Sequence, residues 1–348
     1  MATERAAPPV MAGTPFRVGY LHPPAHPAFL DEMANCGEVE LQRLDRHDDE
    51  AALALLATCD GFYVHSARDE VPPALRVTAT LLQTLPRLRL VATYGAGYDT
   101  VDVPACTAAG IAVVNQAGGN AEAVAEHALM MMLAVLKKLG ATEAAIRGGT
   151  AERREALMGR ELAGRTVGLV GLGHVGTRMA QILAVFGCRV LATDPAVDGA
   201  ACRARGAEKV ELAELLQRSD LVSLHCPLAT DTRGLFDAAR FAAMRAGSIF
   251  VSTARGGVHD ERALEHALRS GHLAGAGLDV WEREPPKADH PLLHHPCVVV
   301  TNHMAGVTQE SRERVGRMAA QAFMAAARHL PLPRLMNPSA TAQHPGIR

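Results

Sequence analysis

Near the middle of the chain, a glycine-rich turn lies between two runs of β-forming residues. A helical pattern follows the turn, and the second β-forming run ends on Asp194. In this arrangement the glycines permit a tight turn and the close approach of a pyrophosphate, while the helix N-terminus offers free N–H groups and partial positive charge. The pattern predicts a dinucleotide site whose phosphates contact Gly171, Leu172, Gly173, His174, Val175 and Gly176.

Asp194 indicates which dinucleotide this site prefers. A carboxylate at the end of the second strand accepts hydrogen bonds from both hydroxyls of the adenosine ribose and repels a 2′-phosphate. No Arg or Lys follows Asp194 before Arg203. The sequence therefore favours NAD, reduced to NADH, over NADP as the cofactor.

Other ionisable residues gather where the remaining strands of the same sheet are predicted to end. Ligands of open parallel sheets bind at the carboxyl ends of the strands. The segments found there are His225-Cys226-Pro227, residues 253–257, residues 279–284 and Asn302-His303. We therefore expect the reacting groups to come from these loops.

The elements that position these loops alternate between strand and helix along most of the chain. Strand candidates near 16–21, 39–44, 61–65, 88–93 and 111–114 precede the glycine turn, with helical patterns that include residues 73–82 between them, and six more strands are counted from Thr166 to Thr301. This pattern predicts an α/β fold with two doubly wound parallel-sheet domains, a Rossmann NAD domain inserted into a flavodoxin-like substrate domain. The segment from Glu310 to Leu330 is predicted to be a helix that completes the first domain.

The expected domain boundaries follow from that arrangement. Residues 1–15 form a flexible tail, residues 16–117 with 303–335 form a split substrate-binding domain, residues 118–302 form the NAD-binding domain, and residues 336–348 form a second tail. A cleft between the domains would hold the substrate.

Composition argues against several classes of partner. The formal net charge of the 348 residues is −2, which gives no electrostatic reason to bind nucleic acid or an acidic membrane. The seven cysteines are scattered without a CxxC pair, as in a reduced cytoplasmic protein, and the tail at 1–15 lacks the apolar segment of a signal peptide. The adjacent His294 and His295 have no further residues at metal-ligand spacing, so no metal site is expected.

A helix predicted from Asn120 to Leu139 is apolar on nearly all of its faces. Leu129, Met132, Leu133 and Leu136 repeat at helical spacing, while Met130, Met131 and Val135 lie on the other faces. Such a helix must be covered on several sides. We expect it to form a contact between domains or between the subunits of a homodimer.

The motifs in this order resemble the D-isomer-specific 2-hydroxyacid dehydrogenase family. The matching segments are GAGYD at 95–99, Asn120 with AVAEH at 123–127, the glycine turn, HCPLATDTRGL at 225–235, TARGG at 253–257, GLDVWEREP at 277–285 and NHMAG at 302–306. They cover nearly the whole chain apart from its tails. One departure is Asn302, which stands where the family usually has proline.

The resemblance implies three catalytic residues. Arg255 would orient the carboxylate of a 2-keto acid and polarise its keto oxygen, for which a planar guanidinium is suited. His303 would be the general acid and base, and Glu284, which directly precedes Pro285, would be its acidic partner. Glu282 is a nearby alternative partner. Formate dehydrogenases of similar fold generally have glutamine at the position of Glu284.

The resemblance also assigns contacts to cofactor and substrate. Asp279 would bind the nicotinamide amide, and the substrate carboxylate would contact the Tyr94-Gly95-Ala96-Gly97 turn through the N–H groups of Gly95 and Ala96. His65 and Ser66 are weaker candidates for the same cleft. The remaining expected cofactor contacts are His225, Cys226, Pro227, Thr232, Thr253, Ala254, Arg255, His303 and Gly306.

The function that follows is hydride transfer between NADH and C2 of a small 2-keto acid by an NAD-dependent oxidoreductase. Glyoxylate, hydroxypyruvate, pyruvate, a bulkier keto acid and 3-phosphoglycerate all remain open as substrates. Two alternatives remain: a relative acting on another small acid such as phosphite or formate, and an NAD-sensing scaffold of the corepressor type.

Overall fold

The computed structural model describes residues 14–149 and 153–341, and two α/β units lie within these ranges. The strands are β1 (Phe16–Leu21), β2 (Val39–Leu44), β3 (Gly61–Val64), β4 (Leu90–Thr93), β5 (Ala112–Val114), β6 (Thr166–Val170), β7 (Arg189–Thr193), β8 (Glu208–Lys209), β9 (Leu221–Leu224), β10 (Ser248–Ser252), β11 (Leu273–Leu278) and β12 (Val298–Val300). The helices are α1 (Ala28–Ala34), α2 (Asp49–Leu56), α3 (Ala79–Thr84), α4 (Val103–Ala108), α5 (Ala121–Leu136), α6 (Leu139–Arg147), α7 (His174–Val185), α8 (Gly199–Ala204), α9 (Leu212–Arg218), α10 (Ala238–Ala243), α11 (Glu261–Arg269), α12 (Gln309–Ala327) and α13 (Pro338–Thr341).

The first unit comprises the chain up to Asn120 and from Thr308 onward. Its five strands are parallel in the order β2-β1-β3-β4-β5, which is the flavodoxin-like order. Helix α12 packs on this sheet, where the absence of a side chain at Gly61 leaves room for the Phe323 ring. A Cβ at Gly61 would lie 2.8 Å from that ring.

The second unit, Ala121–Val307, contains a parallel sheet of seven strands in the order β12-β11-β10-β9-β6-β7-β8. This is the Rossmann order with one added strand, and separate apolar clusters cover its two faces. The six-strand count was one short, because the two-residue strand β8 is too short to give a sequence pattern. The predicted fold class, two doubly wound parallel sheets, is confirmed.

Four boundaries differ from the predictions. The units divide after Asn120 and after Val307 rather than after 117 and 302, so His303 lies in the second unit. The helix expected over 73–82 is interrupted, because Val77 bridges to Val101 and only residues 79–84 form α3. Residues 336–341 are packed structure rather than tail, since the Val113 N–H donates to the Asn337 side chain at 2.8 Å. Residues 1–13 and 342–348 of the predicted tails lie outside the described residues.

Helix α5 is buried along much of its length against the second sheet. Its Met131 packs on β11 at Gly277, where a Cβ would lie 2.8 Å from the Met131 side chain. The following helix, α6, has no buried residue, and its Leu139 and Ile146 are exposed. Among the described residues, no helix is both long enough and apolar enough to cross a membrane.

Candidate active site

His303 and Glu284 form a close pair beyond the carboxyl ends of β11 and β12. The His303 Nδ1 lies 2.8 Å from Glu284 Oε2, and the Trp281 N–H donates to the other oxygen of that carboxylate at 3.2 Å. Glu282, the alternative partner, instead exchanges contacts with Glu261. Because Nδ1 is engaged by Glu284, Nε2 is the ring nitrogen from which a proton can be transferred.

Asp279, at the end of β11, holds the loop that carries His303. The fully buried carboxylate accepts hydrogen bonds from Thr301 Oγ1 at 2.6 Å, from the Met304 N–H at 2.7 Å and from the Ala305 N–H at 2.9 Å. The His303 N–H also donates to the Asp279 carbonyl oxygen at 2.7 Å. These bonds stabilise a backbone with φ of 53° at His303, a left-handed conformation that costs free energy for a residue other than glycine.

This role of Asp279 was missed by sequence reasoning. The carboxylate of Asp279 is enclosed by the 301–305 loop. Its contacts are therefore those of a residue that positions this loop. The contact with the nicotinamide amide stays a prediction. The signal that could have indicated the loop contact is the spacing of an acid and a Thr-Asn-His-Met-Ala run at the ends of two neighbouring strands.

His127 connects helix α5 to the same loop. Its Nε2 lies 3.0 Å from Thr301 Oγ1, and the hydrogen of that hydroxyl is donated to Asp279. Nε2 must therefore be the donor toward Thr301, which assigns the tautomer of the neutral ring. Burial lowers the pKa of His127, and this effect exceeds that of the negative charge of Asp279, which raises the pKa. The contacts of His127 are therefore those of a residue that packs against this loop and positions it.

The pKa of His303 is raised by the balance of its neighbours. Burial acts to lower it, but the hydrogen bond to Glu284 and the negative charge of that residue outweigh burial. Arg255 lowers the pKa through its positive charge, and Asp279 raises it. The protonated form of the ring is therefore favoured more than in a free histidine, and Arg255 is close enough to affect it.

Arg255 follows β10 in a loop that is tightly packed. A Cβ at Gly256 would lie 1.8 Å from the Trp281 carbonyl oxygen, so only glycine allows this loop to contact the one that bears Glu284. Gly257 adopts a φ of 81°. The Arg255 Nη1 donates to the Ala254 carbonyl oxygen at 2.7 Å. Gly256 thus allows the close approach of the loops of Arg255 and Glu284, and Gly257 supplies the left-handed turn that follows.

The glycine turn has the geometry needed for a pyrophosphate. Gly171 has a φ of 96°, and a Cβ at Gly176 would lie 2.2 Å from the Gly171 carbonyl oxygen. At Gly173, by contrast, no atom lies within 4 Å of a Cβ position, which leaves open space at the N-terminus of α7. Gly173 provides no side-chain cap for that helix. The turn therefore fits the phosphates of a dinucleotide.

Asp194 contacts the same turn from the end of β7. Its carboxylate accepts from the Leu172 N–H at 2.7 Å and from the Ala196 N–H at 2.9 Å. Each oxygen retains a further lone pair for a ribose hydroxyl. Arg205 donates to the Leu172 carbonyl oxygen at 2.6 Å, so a cation lies at this turn although it was not considered in the sequence argument.

The other predicted cofactor residues lie at the carboxyl ends of β9, β10 and β12. Burial lowers the pKa of His225 to about 4 and raises the pKa of Cys226 to about 11, so both side chains are neutral at pH 7. The buried Thr253 hydroxyl has no hydrogen-bond partner among the described residues, which suits contact with a bound ligand. The Thr232 hydroxyl instead donates within its own loop, to the Pro227 carbonyl oxygen at 2.6 Å.

The predicted substrate turn of the first unit begins at a core residue. Tyr94 is a core residue, 2% exposed, whose hydroxyl donates to the Leu21 carbonyl oxygen. The Tyr94 ring is turned inward against Tyr63 and His65, so the predicted substrate contact of this turn falls to its backbone and stays a prediction. The Gly95 N–H donates to Ser66 Oγ at 2.9 Å. The role of Gly95, Ala96 and Gly97 stays a prediction.

Comparison with known proteins decides the family. Residues 129–305 match the sequence model for the NAD binding domain of D-isomer specific 2-hydroxyacid dehydrogenases. The chain belongs to this family. The predicted resemblance is confirmed, and the second unit is the family's NAD-binding domain.

Individual relatives agree with this assignment. D-3-phosphoglycerate dehydrogenase of Mycobacterium tuberculosis is 40% identical over 284 residues, which cover 82% of this chain and 52% of that protein. (S)-Sulfolactate dehydrogenase of Chromohalobacter salexigens is 42% identical over 241 residues, 69% of this chain and 78% of that protein. D-Lactate dehydrogenase from Aquifex aeolicus, solved with NAD and lactic acid, superposes with a TM-score of 0.78 at 26% identity, covering 95% of this chain and 98% of that one.

The lengths of these relatives differ. This chain spans about half the length of the phosphoglycerate dehydrogenases that it matches. It covers nearly all of the lactate dehydrogenase chain. The resemblance to NAD complexes, together with the geometry of the glycine turn, supports NAD as the cofactor of the second unit.

Proposed function

We propose that this protein is an NAD-dependent oxidoreductase that interconverts a small 2-keto acid and the corresponding D-2-hydroxy acid. The observation that carries the proposal is the pair formed by His303 and Glu284, whose Nδ1 and Oε2 atoms are 2.8 Å apart. The pair lies at the edge of the NAD-binding sheet, where the positive charge of Arg255 affects the pKa of His303. A proton donor, its carboxylate partner and a cation that can polarise a carbonyl oxygen are thereby combined.

Each of the three residues has a separate task in the proposed reduction. When bound, the dihydronicotinamide supplies a hydride to C2 of the keto acid. Arg255 orients the substrate carboxylate and stabilises negative charge on the keto oxygen. His303 donates the Nε2 proton to that oxygen, and Glu284 stabilises the imidazolium before transfer and fixes the ring through Nδ1. In oxidation, the neutral His303 ring accepts the proton.

The same pair does not separate the alternatives. An NAD-sensing scaffold of the corepressor type shares this fold and the three catalytic positions, so turnover is the property that distinguishes an enzyme from a scaffold. The substrate requirement remains open, since relatives include enzymes whose names specify phosphoglycerate, sulfolactate and lactate. We therefore propose the reaction class and leave the acid to experiment.

The test is a panel of acids assayed with NADH or NAD. The panel contains glyoxylate, hydroxypyruvate, pyruvate, phosphohydroxypyruvate and sulfopyruvate in the reducing direction, with formate and phosphite in the oxidising direction. We expect NADH-dependent turnover with at least one 2-keto acid and none with formate or phosphite. Tight NADH binding without turnover of any acid would contradict the proposal and favour the scaffold.

We further propose that the protein is a homodimer that uses the surface around α5 and α6. Helix α6 has no buried residue in the single chain, and Leu139, Ile146 and Met158 expose apolar surface around it together with Met130 of α5. A nine-residue helix that buries none of its residues is only marginally stable in water. A second copy of the chain would cover this helix and these side chains.

A further inference from the structure

A cavity of about 140 Å³ lies at the amino-terminal edge of the seven-stranded sheet. It is located where β6, β9 and β10 begin, whereas the catalytic and dinucleotide residues follow the carboxyl ends of the same strands. Five strand residues at about 3.3 Å each separate the two edges by roughly 16 Å. The polar part of its lining is Arg160, Arg165, Asp220, Arg245 and Ser248.

The cavity carries excess positive charge. Asp220 is its one acidic lining residue, and both carboxylate oxygens are engaged, one by Arg245 at 2.8 Å and the other by the Thr166 N–H at 2.9 Å. Within residues 14–149 and 153–341, no carboxylate lies at ion-pair distance from Arg160 or Arg165. Two guanidinium groups therefore line the cavity without a neutralising partner.

These two arginines are held in place by backbone oxygens, which leaves other donors available. Arg160 Nη1 donates to the Gly247 carbonyl oxygen at 3.3 Å, and Arg165 Nε donates to the Glu161 carbonyl oxygen at 2.9 Å. A guanidinium has five N–H donors, so each side chain retains several after these bonds. Arginine donors of this kind match the oxygens of a phosphate or carboxylate.

Ser248 provides an independent observation. This residue is 2% exposed and lines the cavity, yet its hydroxyl has no hydrogen-bond partner among the described residues. A buried hydroxyl without a partner costs free energy, and a ligand in the cavity would satisfy it. The volume of about 140 Å³ corresponds to about five water molecules at about 30 Å³ each, which is room for a small anion rather than a nucleotide.

We propose that this cavity is a second anion site, which binds a small tetrahedral oxyanion of the phosphate class. Arg160 and Arg165 supply charge-assisted hydrogen bonds, and Ser248 supplies a neutral one. Arg245 remains paired with Asp220 and stabilises the floor of the cavity. The site is separate from the pyrophosphate turn and does not depend on the proposed reaction.

The experiment measures oxyanion binding to the full chain by isothermal titration calorimetry. Saturating NADH is present throughout, so that the glycine turn is occupied, and ionic strength is held constant with chloride. Inorganic phosphate and glycerol phosphate are titrated in separate arms, which distinguishes the free anion from a phosphate monoester. The variants are Arg165→Gln and Ser248→Ala, neither of which belongs to the catalytic or NAD-binding residues.

The matched control is Arg269→Gln, which removes an exposed arginine of α11 in the same unit. We expect the wild-type protein to bind at least one of the two oxyanions, Arg165→Gln to weaken binding about tenfold or more, and Ser248→Ala to weaken it roughly two- to tenfold. Arg269→Gln should bind as the wild type does. Unchanged NADH affinity and melting temperature without phosphate establish that the variants are folded.

Two results would overturn the proposal. One is the absence of binding for both oxyanions in the wild-type protein. The other is equal affinity in wild type, Arg165→Gln and Ser248→Ala, which would place the bound anion elsewhere, at Arg255 for example. If Arg165→Gln fails to fold, the comparison of Ser248→Ala with the wild type still decides between these outcomes.

Discussion

His303 is the residue whose charge state depends most directly on its surroundings. Burial and the positive charge of Arg255 favour the neutral ring, whereas Glu284 and Asp279 favour the imidazolium. Glu284 prevails, so the pKa lies above its ordinary value. For reduction this is useful, because the ring must carry the proton before the substrate oxygen needs it.

The substitution Glu284→Gln tests this balance through pH. In the wild type, kcat/KM for keto-acid reduction is constant below the His303 pKa and falls as pH rises through it, because the acid form is consumed. Glu284→Gln removes the charge that raises the pKa, so the fall moves to lower pH and the rate at neutral pH decreases. The measurement is kcat/KM against pH at saturating NADH.

Glu282→Gln is the control for that profile, because the Glu282 side chain contacts the Glu261 backbone rather than the imidazole. Its inflection should coincide with that of the wild type. An unchanged inflection in Glu284→Gln would show that Glu284 does not set the His303 pKa.

Asp194→Ala is expected to weaken the preference for NADH over NADPH. The substitution removes both the acceptor for the ribose hydroxyls and the repulsion of a 2′-phosphate, while Arg205 remains at the turn. The ratio of kcat/KM for NADH to that for NADPH should fall about tenfold or more. Asp198→Asn, at the exposed start of α8, should leave the ratio unchanged. An unaltered ratio in Asp194→Ala would remove Asp194 from cofactor selection.

At the residue scale, the sequence was informative where a single motif carries the chemistry. Arg255, Glu284 and His303 could be chosen because each follows a strand and stands in a specific run of neighbours. Tyr94 could not be judged in the same way, since the side to which the last residue of a strand turns depends on the packing of Tyr63 and His65. The cation Arg205 was missed because it reaches the glycine turn from another element.

The element that matters most for the site is the loop of residues 301–306. It is held by the carboxylate of Asp279, which directly follows β11, and it is contacted by His127 of α5. Two elements besides β12 thus position the loop that bears the imidazole. Its left-handed residue is His303 itself. Long-range hydrogen bonds of this kind leave no periodic signal in the sequence, which explains why the alternation of strands and helices could be predicted and the loop contacts could not.

Asp279→Asn tests the role of this loop. Thr301 and Met304 donate to one oxygen of the carboxylate and Ala305 to the other, so an amide with a single acceptor oxygen cannot accept all three bonds. We expect kcat to fall about tenfold or more, with a lower melting temperature, because the loop loses a charge-assisted bond of about 1.5–3 kcal/mol. Thr301→Ser keeps the hydroxyl and should retain most of the activity. Full activity in Asp279→Asn would show that the loop does not need the carboxylate.

For the whole molecule, the order of the strands was predictable in outline because buried parallel strands read as continuous apolar runs. The five- and seven-stranded sheets follow from these runs, apart from the short β8. The predicted start of the C-terminal tail at residue 336 was wrong, because the Asn337 side chain is hydrogen-bonded to β5. A single side-chain contact of this kind leaves no pattern in the sequence. Helix α6 was included in no prediction, and none of its residues is buried within the single chain.

Ile146→Glu tests the proposed homodimer. This side chain is 79% exposed in the single chain, so the charge should be tolerated there but not in an apolar contact with a second copy. Light scattering should give a dimer for the wild type and a monomer for the variant. The monomeric variant should still unfold in a cooperative thermal transition, which shows that it is folded. Leu330→Glu, at an exposed site of the first unit, should remain dimeric. A monomeric wild-type protein would contradict the proposal.

The most direct test of the proposed chemistry is a single-turnover measurement with His303→Gln. The enzyme is loaded with NADH, mixed with the best 2-keto acid of the panel, and followed by the loss of NADH absorbance, while NADH affinity is measured separately. We predict that the rate falls by about a hundredfold or more, as expected for loss of a general acid, with NADH affinity retained. A rate equal to that of the wild type would show that the proton does not come from His303.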